Sequence, residues 1–436
     1  NLIKILINLN RPKEAINVTI TAKNLFSNNH LFCELLAEIF KSIGNFEEAK
    51  KFFKLSISLA PSNDEALYNF ANFLIGIGNK KDSLKLLNKI LNKNPNHSMS
   101  YYLFSTIINV EKYQDIKNKI INLKIKDFKT NKDCFNILFS KSHIYHKLKE
   151  FKKSSEILKQ ANDLKLLEEP SNLKELINFS ESIKNKINLD KSFDIPEIKY
   201  LRDIFIVGLP RSGSTLVESI IGMNKDVHNL GENSILRNAL VEYEKSDFSD
   251  VDEIYFNYSQ NFSQKKYITN KMLSNYMHIP HILSKLKHSK VIYTFRNPLD
   301  NILSMYRAKF TGKGNEYSSS LIDSAKYYKY QFEIMSFYHE KYKNYIYFLS
   351  YDKLVSDPEP EIKKLIKWLG FQWNDFYLHP DKSQQGFFTA SNVQVRSPIN
   401  NKSVGGWRKY TELMQKPIDF FKKNKFLLTS FDDLIH

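Results

Sequence analysis

Residues 208–215 read Gly208-Leu209-Pro210-Arg211-Ser212-Gly213-Ser214-Thr215. Two glycines, a run of hydroxyls and one arginine in so short a stretch suit the capture of an anion. Just before them, Asp203 to Val207 read as a buried strand, and just after, Leu216, Val217, Ile220 and Ile221 fall at helical spacing. Strand, glycine-bearing loop and helix start together form a nest of backbone N–H groups for a phosphate. The loop departs from that of nucleotide triphosphatases, which place Lys and then Ser or Thr after the second glycine. Here Ser214 stands in the lysine place, and the basic residue, Arg211, lies inside the loop. No later strand ends in an Asp fit to carry magnesium, so the expected phosphate has no metal-bridged triphosphate tail. The bland alternative is a βα turn with chance glycines.

A second anion site is written further on. Val291 to Phe295 read as a strand, followed by Arg296-Asn297-Pro298 and a helix carrying Ser304 and Arg307. Asn297 suits the cap and Pro298 the first turn of that helix. Arg296 offers a forked set of donors for a phosphate. Near the C-terminus stands Lys402-Ser403-Val404-Gly405-Gly406-Trp407-Arg408, a basic turn with a packed tryptophan. Four smaller segments accompany these: Gly231-Glu232, Asn270-Lys271-Met272, Ser350-Tyr351-Asp352-Lys353-Leu354 after an expected strand, and Thr389-Ala390-Ser391. His228, His278 and His281 sit in no matching motif.

Taken in order, the segments of residues 203–410 resemble sulfotransferases that use 3′-phosphoadenosine 5′-phosphosulfate (PAPS). They are most similar to protein-tyrosine sulfotransferases and to bacterial sulfotransferases with leading tetratricopeptide repeats. The resemblance implies that Arg211, Ser212, Gly213, Ser214 and Thr215 cradle the 5′-phosphate. Arg296 and Ser304 then hold the 3′-phosphate, Tyr351 and Lys402 complete the cofactor site, and Trp407 packs beneath the C-terminal loop. Glu232 becomes the general base. Lys271 and Arg211 neutralise charge near the bridging oxygen, and Ser391 donates to the sulfonate or the leaving phosphate. The family has a second basic residue on the 3′-phosphate helix, for which Arg307 and Lys309 are both candidates. Sulfuryl transfer to an acceptor hydroxyl, such as a protein tyrosine, would yield adenosine 3′,5′-bisphosphate without a metal. Against these roles stand plainer ones: Glu232 as a helix cap and Lys271 as a solvated lysine.

The elements that must position these residues occupy the second half of the chain; the first half is repetitive. Gly44, Asn45, Ala49, Phe53 and Pro61 recur as Gly78, Asn79, Ser83, Leu87 and Pro95, each 34 residues on. The surrounding apolar spacing is helical, and the glycines fall where a helix should end in a left-handed turn. This period resembles the tetratricopeptide repeat. A half unit covers residues 1–29, Lys112 takes the glycine place of a fainter unit, and a further unit spans 135–168. The expected fold is an α-solenoid over residues 1–169, a junction over 170–199, and an α/β three-layer P-loop-like domain over 200–436 with a mostly parallel sheet. The repeats present either a concave surface for a peptide or protein acceptor or a packing platform for the second domain.

Composition bounds the rest. The 436 residues are 42% hydrophobic and 25% charged, which excludes a disordered chain. Two cysteines exclude a disulfide scaffold and suit a reducing, cytoplasmic setting. No apolar run approaches the roughly 18 residues of a membrane span. The net charge of +17 suits an anionic partner, yet no nucleic-acid-binding motif accompanies it. The chain opens at Asn1 instead of Met, so an upstream segment is expected. The competing readings are a P-loop kinase or nucleotide hydrolase, opposed by Ser214, and an inactive repeat scaffold, opposed by the complete set of site residues.

Overall fold

The computed structural model describes residues 5–6, 14–19, 28–188, 200–245, 250–310, 313–383, 386, 388 and 395–426. The first half is a stack of helix–turn–helix pairs. They are α1 (His30–Ser42) with α2 (Phe46–Leu59), α3 (Asp64–Gly76) with α4 (Lys80–Lys93), α5 (Ser98–Ile107) with α6 (Gln114–Asn122), and α7 (Asn131–Lys147) with α8 (Phe151–Glu168). A further helix, α9 (Leu173–Asn188), leads toward the second half. The asparagine-rich composition has a local use here. Asn29, Asn45, Asn63 and Asn79 cap α1 to α4, each side chain accepting from backbone N–H groups of the first turn. Gly44 and Gly78 turn the chain at φ 79° and 88°, the left-handed region expected of them. In the fourth pair Lys149 fills the same place at φ 63°. The small residues Ala49 and Ser83 are completely buried, as close helix pairing requires, and Phe53 and Leu87 fill the core beside them.

The second half is built on a five-stranded sheet in the order β2-β3-β1-β4-β5. Its strands are β1 (Asp203–Gly208), β2 (Val227–Asn229), β3 (Tyr267–Asn270), β4 (Ser289–Phe295) and β5 (Ile346–Ser350). Every pairing is parallel. Parallel strands need covered faces, and the side-chain alternation supplies two. Phe205, Val207, Val291, Tyr293 and Phe295 point into one core, shared with α11 (Ile235–Tyr243), α12 (Val251–Gln260), α13 (Ile279–Lys285), α14 (Pro298–Tyr306) and α15 (Leu321–Lys341). Ile204, Ile206, Ile292 and Leu349 point into the other, against α10 (Ser214–Ile221), α16 (Tyr351–Ser356) and α17 (Pro358–Leu369). The expected three layers are therefore present. A last helix, α18 (Gln415–Lys423), packs on the first core through Ile418 and Phe421. No described helix is long and apolar enough to cross a membrane.

The repeats are seated on this α/β unit. Phe135, Leu138, Phe139, Leu158 and Ala161 from α7 and α8 form one buried cluster with Tyr306 at the end of α14. Polar groups line the same contact. His143 Nε2 lies 3.2 Å from the Arg307 carbonyl oxygen, where the ring N–H donates. Asn162 Nδ2 donates to the Tyr306 carbonyl at 3.0 Å. The Tyr410 hydroxyl meets His146 Nδ1 at 2.8 Å and Ser154 Oγ at 3.0 Å. A second contact is made by the C-terminal segment. The Phe388 ring lies 5.8 Å from Phe46 and 5.9 Å from Phe73, centroid to centroid, and Arg396 Nη2 donates to the Gly76 carbonyl at 3.1 Å.

Candidate active site

Each strand of the sheet hands over one of the expected residues at its carboxyl end. In spatial order, β2 leads to Glu232, β3 to Lys271, β1 to the loop at Arg211, β4 to Arg296 and β5 to Tyr351. Four inter-strand spacings of ~4.8 Å give a row about 19 Å long. Open parallel sheets bind ligands at this edge.

The row's central loop is held from several sides. Ser212 Oγ shares a 2.7 Å hydrogen bond with Thr294 Oγ1 of β4, so this hydroxyl serves the loop's own shape. Asn301 Nδ2 of α14 donates to the Pro210 carbonyl at 2.8 Å. Gly213 has φ 97°, and a Cβ there would stand 2.4 Å from the Tyr351 ring, so both backbone and neighbour demand glycine. Ser214 and Thr215 are buried at the start of α10, whose first N–H groups lack intrahelical acceptors by geometry.

Two of the arginines expected at opposite phosphates share one neighbourhood. Arg211 Nε donates to Ser304 Oγ at 3.1 Å, joining the loop to α14. Burial, and then the positive charges of Arg296 and Arg307, push the Arg211 guanidinium down to about 10. Arg296 lies 4.7 Å over the Tyr351 ring and donates through Nη2 to the Ser403 carbonyl. Tyr351 in turn meets Ser403 Oγ at 2.9 Å. Asp352 faces Arg296 at 4.0 Å and accepts from the Asn297 N–H at 2.6 Å. The Tyr328 hydroxyl donates to the Arg296 carbonyl. Lys402 is exposed and follows Asn401 into the loop whose next residue, Ser403, touches Arg296.

At the other end of the row, Lys271 Nζ donates to Glu232 Oε1 at 2.9 Å. Lys271 is fully buried, whereas the Glu232 side chain is 49% exposed. Burial alone would lower the Lys271 ammonium, but the carboxylates of Glu218 and Glu232 outweigh it and raise it above the ordinary lysine value. Lys271 is thus no solvated lysine.

The described residues bring together Arg211, Gly213, Ser304, Tyr351 and Arg296 at one end, and Glu232 with Lys271 at the other. Ser391 lies outside the described residues. Of the two basic candidates, both just past the end of α14, Lys309 turns into the repeats, where its Nζ donates to Asn136 Oδ1 at 2.7 Å. Arg307 is the one that acts on Arg211 electrostatically.

Three further residues shape the site and escaped the sequence reading. Asp300 accepts from the N–H groups of Gly405 at 2.6 Å and Trp407 at 2.9 Å, tying the C-terminal loop to α14. Tyr328 fixes Arg296, as above. Glu218 lies buried on α10, 3.9 Å from Lys271 Nζ. An acid amid Leu216, Val217, Ile220 and Ile221 was the one legible signal for it.

An anionic ligand suits this arrangement. Arg296 Nε and Arg307 Nε are buried with no hydrogen-bond partner among the described residues, and each is a donor that an incoming oxygen would satisfy.

The fold is an α/β unit on a parallel sheet with a row of basic and hydroxyl side chains at its carboxyl edge, and comparison shows what it is similar to. Residues 203–375 match the sulfotransferase family. Residues 43–103 and 135–166 match the tetratricopeptide repeat. The chain therefore carries a sulfotransferase-family domain behind tetratricopeptide repeats. It is 23% identical over 398 residues to an uncharacterised protein of Aquifex aeolicus, covering 83% of this chain and 51% of that one. It is 25% identical over 231 residues to protein-tyrosine sulfotransferase 1 of Danio rerio, covering 47% of this chain and 65% of that one. The chain thus spans about half the length of the first relative and just under two thirds of the second. Among solved structures, the sulfotransferase domain of the Synechococcus PCC 7002 olefin synthase aligns over 53% of this chain and 98% of its own, at 17% identity and a TM-score of 0.36.

Proposed function

We propose that this chain transfers a sulfuryl group from PAPS to an acceptor hydroxyl, with a tyrosine of a peptide or protein as the favoured acceptor class. The observation that carries the reading is the row at the sheet edge, where an anion-binding end and an acid–base end are set in strand order on one rigid scaffold. PAPS supplies the activated sulfuryl group. Residues 200–436 do the chemistry, and residues 1–169 form the repeat side from which a large acceptor approaches.

The chain's own groups divide the work. The loop of Arg211, Ser212, Gly213, Ser214 and Thr215 holds the 5′-phosphate with backbone N–H groups and one guanidinium. Arg296, Ser304 and Arg307 hold the 3′-phosphate, with Tyr351 stacked under Arg296 and Lys402 at the rim. Glu232, half-exposed, is open to an incoming hydroxyl and takes its proton. Lys271 and Arg211 offset negative charge as the bond to the leaving phosphate breaks, and Ser391 adds a hydrogen bond there.

The test is transfer of label from PAPS carrying sulfur-35 to tyrosine peptides with acidic flanks. Labelled sulfotyrosine is expected, with Glu232→Ala slower by about 10² to 10⁴. Transfer that is indifferent to Glu232→Ala would overturn the base assignment. A protein that takes ATP with magnesium in place of PAPS would be a kinase or hydrolase.

A further inference from the structure

Lys271 is a fully buried cation between two unequal carboxylates. Glu232 makes the hydrogen bond, at 2.9 Å, but reaches solvent. Glu218 stands 3.9 Å away and is itself 97% shielded, with its side chain 3% exposed. Its position is fixed by three elements. It rides on α10, directly behind the phosphate loop. Its Oε1 accepts from the Gly231 N–H at 3.1 Å, the residue before Glu232, and from Thr269 Oγ1 of β3 at 3.3 Å. The Gly231 carbonyl accepts the Lys271 N–H at 2.9 Å, closing the unit. One buried carboxylate thus touches the turn that carries the base and the strand that carries the lysine.

We propose that Glu218 is a positioning residue: the standing counter-ion that keeps Lys271 charged and in place while Glu232 is engaged with the acceptor. This rests on the sulfuryl-transfer reading. In that reaction the acceptor oxygen bonds to sulfur, the bridging S–O bond breaks with its electron pair going to the 5′-phosphate oxygen, and the acceptor proton goes to Glu232. Glu232 is then neutral and no longer balances Lys271. Until the leaving phosphate has gathered its charge, burial without a fixed carboxylate favours the uncharged amine, and the phosphate would meet no cation at the step that needs it. Glu218 prevents this, because no acceptor reaches it. Among the described residues, Glu218 from α10 and Glu232 from the β2–α11 turn are the charged groups facing Lys271.

Glu218→Gln is nearly isosteric and keeps an oxygen for Gly231 and Thr269, so a merely structural role predicts an unchanged enzyme. With Glu218 as counter-ion, kcat should fall about 10- to 100-fold. The alkaline limb of the pH–kcat profile should also move at least about one unit toward neutral as Lys271 deprotonates more easily. Glu218→Asp should recover part of both, and adenosine 3′,5′-bisphosphate should bind within about 3-fold of wild type. An unshifted limb with normal kcat would overturn the proposal. If Glu218→Gln does not fold, Glu218→Gln/Lys271→Met decides. Removing both charges should restore the melting midpoint, because an unpaired buried charge costs more than a deleted pair; a double variant as unstable as the single one would contradict the counter-ion role. Absence of turnover in wild type would instead sink the sulfuryl-transfer reading itself.

Discussion

Three guanidinium groups, those of Arg211, Arg296 and Arg307, lie close enough for the latter two to depress the first. Like charges gathered under partial burial are unfavourable unless an anion joins them. The same residues should therefore weaken the free protein and strengthen the bound one. Arg307→Met is expected to lower affinity for adenosine 3′,5′-bisphosphate about 10- to 100-fold, the worth of one charge-assisted hydrogen bond. It should also leave the melting midpoint of the free protein equal or higher. Lys309→Met should instead spare the ligand, with affinity within about 3-fold of wild type, because Lys309 turns away to Asn136 of α7, where burial pushes its ammonium down to about 7. Calorimetry and thermal unfolding on the two variants read both quantities. Equal losses of affinity would mean that the two basic side chains share the ligand.

At the scale of the element, what could be read in the sequence was whatever is encoded locally. The phosphate loop was legible because strand, glycines and helix start are consecutive, and the Arg296-Asn297-Pro298 step because its cap and first turn follow at once. The repeat was legible from its 34-residue period. Glu218, Asp300 and Tyr328 were not, since each acts on a residue brought to it by the fold: Asp300 on Gly405 and Trp407, Tyr328 on Arg296, Glu218 on Gly231 and Lys271. Which way each of Arg307 and Lys309 turns was hidden for the same reason, because the seat of Lys309 is on another element. The fourth repeat adds a local feature that the sequence analysis did not single out. Lys149 adopts φ 63° where Gly44 and Gly78 occupy the equivalent turns. A side chain there costs about 1–2 kcal/mol, partly offset by the freer unfolded chain that glycine brings. Lys149→Gly is thus expected to raise stability by about 0.5–1 kcal/mol in urea unfolding, with no change in ligand affinity. A lower midpoint would show that Lys149 contributes more by its contacts than its backbone costs.

Across the whole molecule, the repeats bear on the α/β unit through α7 and α8 and meet the C-terminal segment at Phe388 and Arg396. The packing-platform role is therefore physical, and it leaves the acceptor role to be tested. The platform carries a pH signature. Burial first, then the charge of Arg307, pushes both His143 and His146 down to about 3. Each is neutral in the fold and free to protonate near pH 6.5 when unfolded, so the unfolded state binds more protons below that pH. Stability is complete above about pH 6.5 and falls as pH drops toward 3, by up to about 1.4 kcal/mol per unit for each histidine. Urea midpoints at pH 7 and pH 5.5 should show the decline, and His143→Asn should lessen its slope by about one histidine's share. A slope untouched by that substitution would place the acid sensitivity elsewhere.

On the proposed reading, one nucleotide with two phosphates spans the loop at Arg211 and the strand end at Arg296. The most direct measurement is calorimetric titration with adenosine 3′,5′-bisphosphate, and separately with ATP and magnesium, of wild type and Arg296→Ala. Tight bisphosphate binding by wild type, collapse of that binding in folded Arg296→Ala, and little response to ATP with magnesium are expected. Preference for ATP with magnesium, or bisphosphate binding that ignores the loss of Arg296, would contradict it.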